Sequence, residues 1–109
     1  MTNQESFDVE KVVQPFVAPS HLTADCRLEF RRAALDALDA AVRAGERAVE
    51  VDLGATVEID PSGLGVLILL QKRSRERGLA TRLINVPHIV DQLLIVTNLE
   101  SLFEVVRAR

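Results

Sequence analysis

The sequence has no tryptophan and no tyrosine, and its aromatic content is limited to four phenylalanines and two histidines in 109 residues. Proteins that bind single-stranded nucleic acids stack bases on aromatic side chains, and proteins that bind duplexes present a basic face. The chain has few aromatic side chains for stacking, and its formal net charge of -3 does not favour a basic face. The composition therefore argues against a nucleic-acid-binding protein.

Cysteine is also scarce. Cys26 is the only one, which excludes a disulfide within the chain and suits a reducing compartment. Together with His21 and His88 it shows no spacing typical of metal ligands. The sequence has no Gly-x-Ser-x-Gly elbow, no Walker lysine and no zinc-binding helix motif. We therefore expect no metal, no cofactor and no enzymatic activity.

Long apolar runs are missing too. The longest spans Leu64–Leu70, whereas a bilayer-crossing helix needs about 20 apolar residues. The first 13 residues have neither the basic nor the apolar region of a signal peptide. We expect a soluble, cytoplasmic protein with no membrane insertion. Residues 1–8 are polar and predict a flexible segment, followed by a single domain over residues 9–109.

Apolar residues make up 48% of the chain, which is enough for one core. Stretches rich in β-branched residues predict three strands, at Val9–Val17, Ala48–Leu53 and Ala80–Val86. Pro15 cannot donate a ladder hydrogen bond, so the first strand is expected at an edge. We predict a loop at Ala18–His21, an extension or turn at Val57–Ile59 and a short terminal segment at Leu99–Val106.

Helical spacing of apolar residues predicts three helices, at Ala24–Ala44, Gly63–Arg77 and Pro87 to about Val96. Thr23 is a predicted N-cap of the first helix, and Gly45 a predicted C-terminal cap. Gly78 is expected to end the second helix, and Asn98 the third. Strands that alternate with helices need crossover connections, so the sheet is predicted to be largely parallel.

The most informative segment is the turn that leads into the second helix, Asp60-Pro61-Ser62-Gly63-Leu64-Gly65. Its two glycines would let the helix start approach a neighbour closely. The free N–H groups of a first helical turn favour an anion, and Ser62 is placed to cap the helix. Asp60 suits either an Asx-type hydrogen bond within the turn or a contact with a partner.

Several motifs in this part of the chain resemble, in order, those of the STAS domain family. The matching pieces are Val51-Asp52-Leu53, Asp60–Gly65, Arg75–Gly78, Leu93-Leu94 and Thr97–Phe103. The resemblance implies an α/β fold with a mixed or mostly parallel sheet of about four to five strands and with helices packed mainly on one face.

The resemblance also implies a function. Anti-sigma-factor antagonists of this family are bacterial partner-switching regulators of transcription that bind an anti-sigma factor or serine kinase. It assigns partner binding to the turn, at Asp60, Pro61, Ser62, Gly63, Leu64 and Gly65. In the family the kinase phosphorylates the serine directly after the aspartate, and the added charge weakens partner binding. Pro61 occupies that position here, which leaves Ser62 as the candidate for phosphorylation.

Other interpretations stay open at this point. The chain resembles cytoplasmic STAS subunits that bind the ATPase of an ABC-type lipid transporter, in which the switch serine is often absent, as at Pro61. The basic run Lys72–Arg77, which Glu76 interrupts, fits a solvated helix face, or else a partner-binding or anionic patch. The apolar cluster Leu93–Phe103 fits core packing, a docking patch or the contact of a homodimer.

Overall fold

Strands and helices alternate along the chain. The computed structural model describes residues 14–108; the predicted flexible segment and residues 9–13 of the first predicted strand lie outside this range. The strands are β1 (Phe16–Val17), β2 (His21–Leu22), β3 (Ala48–Asp52), β4 (Glu58–Ile59), β5 (Ala80–Val86) and β6 (Glu104–Arg107). The helices are α1 (Arg27–Arg43), α2 (Pro61–Glu76) and α3 (His88–Val96), with 3-10 helices at Ala24–Cys26 and Glu100–Leu102.

The main sheet has four parallel strands in the order β1-β3-β5-β6, and β2 and β4 form a separate parallel pair. The register places Val51 of β3 opposite Phe16 on one side and Leu83 on the other. Each strand of the main sheet returns to the same direction through a crossover that contains a helix. The predicted α/β fold with a mostly parallel sheet is confirmed.

One face of the main sheet carries the core. In β3, Val49 and Val51 are buried, whereas Glu50 and Asp52 between them are half-exposed. The buried face packs against α1 and α2, from which Phe30, Leu38, Leu67 and Leu70 contribute fully buried side chains. Successive side chains of a strand point to opposite faces of the sheet, so the apolar residues of β3 face the helices and its polar residues lie on the open face.

An ionic row crosses the open face. The Arg82 guanidinium donates hydrogen bonds to Glu50 at 2.7 Å and to Glu104 at 3.0 Å, and so joins β3, β5 and β6. The hydrogen bond to Glu50 and then that to Glu104 raise the pKa of Arg82 above its ordinary value. Within residues 14–108, no helix is both long enough and apolar enough to cross a membrane.

All three helices end in the same way, as predicted. Gly45, Gly78 and Asn98 follow the helices with φ angles of 72°, 80° and 59°. The next N–H in each case reaches back to a carbonyl of the last turn, as in a Schellman motif. These hydrogen bonds run from Glu46 to Ala41, from Leu79 to Ser74 and from Leu99 to Leu94, at 2.9–3.0 Å.

Three local predictions are wrong. His21 lies in strand β2 and not in a loop; β2 has two residues, too few to show an alternating pattern. Thr23 makes no side-chain cap, and α1 begins at Arg27 after a 3-10 turn, whose Ala24 N–H donates to the Asp60 carboxylate at 3.1 Å. The terminal segment contains β6, which pairs with β5 and whose Glu104 accepts a hydrogen bond from Arg82 on the open face.

Candidate functional site

The predicted partner-binding turn lies where β4 meets α2. The N–H of Asp60 donates to the carbonyl of Leu22 at 3.1 Å, so the turn starts as a continuation of the β2–β4 pair. The short strand β4, Glu58–Ile59, therefore supplies the base of the site; it lies in the segment Val57–Ile59 that was predicted as an extension or turn. β2 is the support that sequence reasoning missed, because two residues carry no periodic signal.

The Asp60 carboxylate organises the turn. Its Oδ1 accepts from the N–H of Ser62 at 2.8 Å and of Gly63 at 3.1 Å, and its Oδ2 accepts from the N–H of Ala24 at 3.1 Å. Asp60 is therefore the N-cap of α2, which makes the prediction that Ser62 caps this helix wrong. Pro61 takes the first helical position, where its missing N–H costs nothing, and the cap lies two residues earlier than predicted.

These hydrogen bonds lower the pKa of Asp60 below its ordinary value of 3.8. The Gly63 N–H has the largest effect, desolvation opposes it, and the N–H groups of Ala24 and Ser62 add to it. The carboxylate is thus held in its charged form by three donors of the protein itself. Of the two roles predicted for Asp60, the geometry supplies the Asx-type hydrogen bond within the turn.

The first turn of α2 has no N–H left for an external anion. Pro61 has none, the N–H groups of Ser62 and Gly63 bind the Asp60 side chain, and that of Leu64 donates to the Asp60 carbonyl at 3.0 Å. The predicted anion-binding corner is therefore wrong. The negative charge that a helix N-terminus favours is already provided by Asp60.

The two glycines of the turn are not equivalent. A Cβ atom on Gly63 would overlap the Leu22 carbonyl oxygen and lie 2.6 Å from the Leu22 Cβ atom. A Cβ atom on Gly65 would meet nothing within 4 Å outside its own stretch of helix. The predicted close approach is correct for Gly63 and wrong for Gly65, because the first faces β2 and the second faces solvent.

Burial divides the six predicted site residues into two groups. Gly63 and Leu64 are buried and build the turn, and Asp60 is half-exposed with its carboxylate occupied. Pro61 and Gly65 are exposed, and Ser62 is half-exposed. The surface that another molecule could touch therefore consists of Pro61, Ser62 and Gly65.

A hollow of about 420 Å³ lies beside the turn and is acidic, with Asp25, Glu58 and Asp60 in its lining. His21 also lines it, 3.6 Å from the Glu58 carboxylate, and Cys26 is half-exposed there. Within residues 14–108, no group of three or more histidine, cysteine or acidic side chains is arranged to hold a metal ion.

The predicted apolar C-terminal cluster is mostly core. Leu94 and Phe103 are buried, and Leu93 and Leu99 pack against the core while half-exposed. The exposed apolar residues of this segment are Ile95 at 44%, Val96 at 74% and Leu102 at 36%. The cluster therefore mainly fixes α3 and the 3-10 turn against the rest of the domain.

Comparisons with known proteins agree with this fold. A family model described as "Mlab, STAS domain" matches residues 19–106. A crystal structure of TM1081, a candidate anti-sigma factor antagonist of Thermotoga maritima, superposes with a TM-score of 0.66 at 19% identity, covering 86% of this chain and 75% of that one. An NMR structure of the protein TM1081 gives 0.66 at 20% identity, covering 84% and 71%. No curated protein sequence matches significantly.

The family model covers the turn, the helices α1 to α3 and five of the six strands, from β2 to β5 in full and most of β6. The two solved structures share the same architecture at low identity, so they support the fold. The motif order, the parallel sheet and the capped turn at Asp60 agree with the family match. The chain belongs to the STAS domain family.

Proposed function

We propose that this chain is a non-enzymatic regulatory module that binds another protein through the Asp60–Gly65 turn and the solvent face of α2. The observation that carries the proposal is the contrast within the turn. Asp60 and Gly63 fix its backbone through three hydrogen bonds and a close contact with Leu22, while Pro61, Ser62 and Gly65 face outwards. A turn whose backbone donors are satisfied and whose outer residues are exposed suits recognition by a protein surface better than binding of a small substrate.

We further propose that the partner is an anti-sigma factor or a serine kinase of the same bacterial cytoplasm. The similarity in fold to a candidate anti-sigma factor antagonist supports this class. In this interpretation the chain regulates transcription by competing for the anti-sigma factor. The six turn residues contribute differently: Asp60, Gly63 and Leu64 hold the turn, and Pro61, Ser62 and Gly65 contact the partner.

Ser62 is the proposed point of regulation, because it carries the only hydroxyl of the turn and Pro61 stands at the family's acceptor position. Ser62 is half-exposed, within reach of a modifying enzyme. A phosphate there would add a charge of about -1.5 to -2 close to the Asp60 carboxylate. The two like charges would repel each other, and they would repel any acidic group on the partner.

Pro61 also favours a second function. A binding module that needs no phosphorylation switch can replace the acceptor serine with a rigid residue whose φ angle is fixed. The alternative is therefore a STAS subunit that binds the ATPase of an ABC-type lipid transporter constitutively. The same turn would contact the partner in both cases.

The experiment that tests the proposal is affinity purification of the full chain from its own cells, with identification of the bound protein by mass spectrometry. A kinase-like anti-sigma factor supports the first function, and a transporter ATPase supports the second. The bound protein is then purified and titrated with Ser62→Asp, with Ser62→Ala and with Ser101→Asp, a matched change at an exposed serine far along the chain.

We expect Ser62→Asp to weaken binding at least about tenfold and Ser101→Asp to leave it unchanged. Intact-mass measurement of the chain from cells shows whether Ser62 carries a phosphate. Equal affinities for the wild type and both Ser62 variants would remove Ser62 from the interface. Turnover of a small molecule by the purified chain would contradict the non-enzymatic function.

A further inference from the structure

The solvent face of α2 has Gly65 at its centre. Successive helical residues are 100° apart, so Pro61, Leu69 and Lys72 fall within about 40° of Gly65 around the axis. The buried residues Gly63, Leu67, Leu70 and Ser74 fall on the opposite side. Gly65 therefore interrupts the outer ridge Pro61–Gly65–Leu69, in which residues are spaced four apart.

Nothing within the described residues requires glycine at position 65. Its φ angle is not in the left-handed region, it is exposed, and a Cβ atom there would meet open space. Glycine in a helix interior lowers helix stability relative to alanine. A position that weakens the free domain and has no contact inside it is explained by a close contact with another molecule.

The charges on this face are separated along the helix. From Pro61 to Gln71, α2 carries no charged residue, and Ile68 and Leu69 are half-exposed. Lys72, Arg73 and Arg75 follow. Over residues 14–108 these three have no carboxylate within 4.0 Å, whereas Arg77 of the same run lies 3.7 Å from Asp39. Glu76 is also exposed on this face, about 20° from Gly65 around the axis. The face is thus an uncharged notch around Gly65 and ends in charges of both signs, of which the cation nearest in line with Gly65 is Lys72.

We propose that this face, formed by Pro61, Ser62, Gly65, Leu69 and Lys72, receives a helix of the partner protein. A ridge of that helix enters the notch at Gly65, and an acidic side chain about two turns farther along pairs with Lys72. Interaxial distance depends on the side chains at the crossing, so glycine allows an unusually close approach. This inference rests on the proposed function and adds to it the structure and charge of the partner segment.

The gap at Gly65 in the ridge Pro61–Gly65–Leu69 explains why a helix of the partner fits this face better than a strand does. Ridges of residues spaced four apart on one helix pack between the ridges of another, and the missing side chain at Gly65 enlarges that groove at one point. The half-exposed Ile68 and Leu69 supply apolar area on both sides of the notch. The acidic residue on the partner supplies charge complementarity, which sets orientation and association rate.

The test uses the partner protein identified by affinity purification, which is purified and titrated calorimetrically with single variants of the full chain. Gly65→Ala is expected to raise the melting temperature of the free chain by about 3–6 °C and to weaken binding roughly tenfold. Gly65→Leu is expected to weaken binding by about a hundredfold. We expect Gly65→Ala to stabilise the free chain and to weaken binding only if the glycine at position 65 serves the contact with the partner.

The charge on the face is tested separately. Lys72→Glu is expected to weaken binding about fivefold to tenfold, more at low salt than at high salt. Arg43→Glu is the matched control, because Arg43 is an exposed cation in the last turn of α1. It is expected to bind as the wild type does.

The results separate this inference from the proposed function. If Gly65→Ala and Gly65→Leu bind like the wild type while Ser62→Asp does not, the helix contact is wrong and the proposed function stands. If Gly65→Ala lowers the melting temperature, the glycine serves the fold and the inference fails. If the wild-type chain binds neither a kinase-like anti-sigma factor nor a transporter ATPase, both the inference and the proposed function fail.

Discussion

Asp60 and Gly63 stabilise the same turn by different means. Asp60 accepts hydrogen bonds from three backbone N–H groups, one of them on the 3-10 turn before α1. Gly63 makes room for the Leu22 carbonyl, which no residue with a side chain could do. The sequence showed that an aspartate and a glycine belong in such a turn. Which glycine faces the protein could not be predicted, because that depends on β2, a strand of two residues.

Gly63→Ala is expected to destabilise the domain severely. The added methyl group overlaps the Leu22 backbone, so either α2 or β2 must move. Overpacking of this kind typically lowers the free energy of unfolding by about 1–3 kcal/mol. Because the added methyl group meets backbone atoms, we expect a loss of about 3 kcal/mol or more. The measurement is the free energy of unfolding in urea, with Gly65→Ala as the control. A fully stable Gly63→Ala variant would contradict the packing of β2 against α2.

Asp60→Asn is expected to lower stability at neutral pH, because the amide loses the charge that three N–H groups and the helix dipole favour. The pKa of Asp60 is lowered in the folded chain, so its contribution is complete above the unfolded value and is lost as pH falls through the folded value. The difference in melting temperature between wild type and variant should therefore shrink below about pH 3.8. A difference that stays constant from pH 7 to pH 2.5 would contradict this role.

Among the elements, the long ones were predictable and the short ones were not. Apolar spacing gave α2 and α3 within two residues, and Gly45, Gly78 and Asn98 marked helix ends correctly because each adopts a positive φ angle. β2, β4 and β6 have two to four residues, and their position depends on pairing with strands distant in sequence. The start of α1 was predicted three residues too early, because Ala24–Cys26 form a 3-10 turn.

Asn98→Ala is expected to destabilise the end of α3 by about 1 kcal/mol, because a residue with a Cβ atom and no polar side chain is unfavourable at φ 59°. Asn98→Gly is the control and should be as stable as wild type or slightly more stable. Thermal unfolding measures both. Equal melting temperatures for the alanine and glycine variants would contradict the Schellman end of this helix.

Arg82→Gln is expected to cost about 0.5–1 kcal/mol, since the pairs lie on a partly exposed face and solvent screens them. Its loss leaves Glu50 and Glu104 unpaired on either side of β5. The effect should diminish in 1 M salt, where screening weakens their repulsion. Urea unfolding at two salt concentrations measures this, and a cost independent of salt would mean that Arg82 acts through packing alone.

At the scale of the whole molecule, the edge of β3 beside β1 is relevant to where the domain begins. Among residues 14–108, only Val51 and Asp52 of β3 pair with β1, and a hollow of about 700 Å³, lined by Gln14, Ala37 and Ala40, lies beside Ala48–Glu50. We propose that the domain begins at Val9. Removal of residues 1–8 should leave the melting temperature unchanged, and removal of 1–13 should cost about 1–3 kcal/mol through lost valine burial. Equal stability of both shortened chains would place the boundary after residue 13.

The fold class could be predicted from the alternation of strands and helices, and the family from the order of its motifs. The proposed partner surface could be predicted only in part, because sequence placed six residues in the turn without showing which of them are buried. Buried Leu64 and exposed Gly65 are neighbours in sequence and opposite in environment. The surface therefore emerged from the packing of α2 against α1 and the sheet.

Hydrogen–deuterium exchange of the chain, alone and bound to its purified partner, tests most directly whether this turn and helix are where the chain meets another protein. We expect the backbone amides of residues 61–72 to exchange more slowly in the complex, and those of β6 on the far edge of the sheet to be unchanged. Slower exchange over β6 and the open sheet face, with residues 61–72 unaffected, would contradict the proposed site.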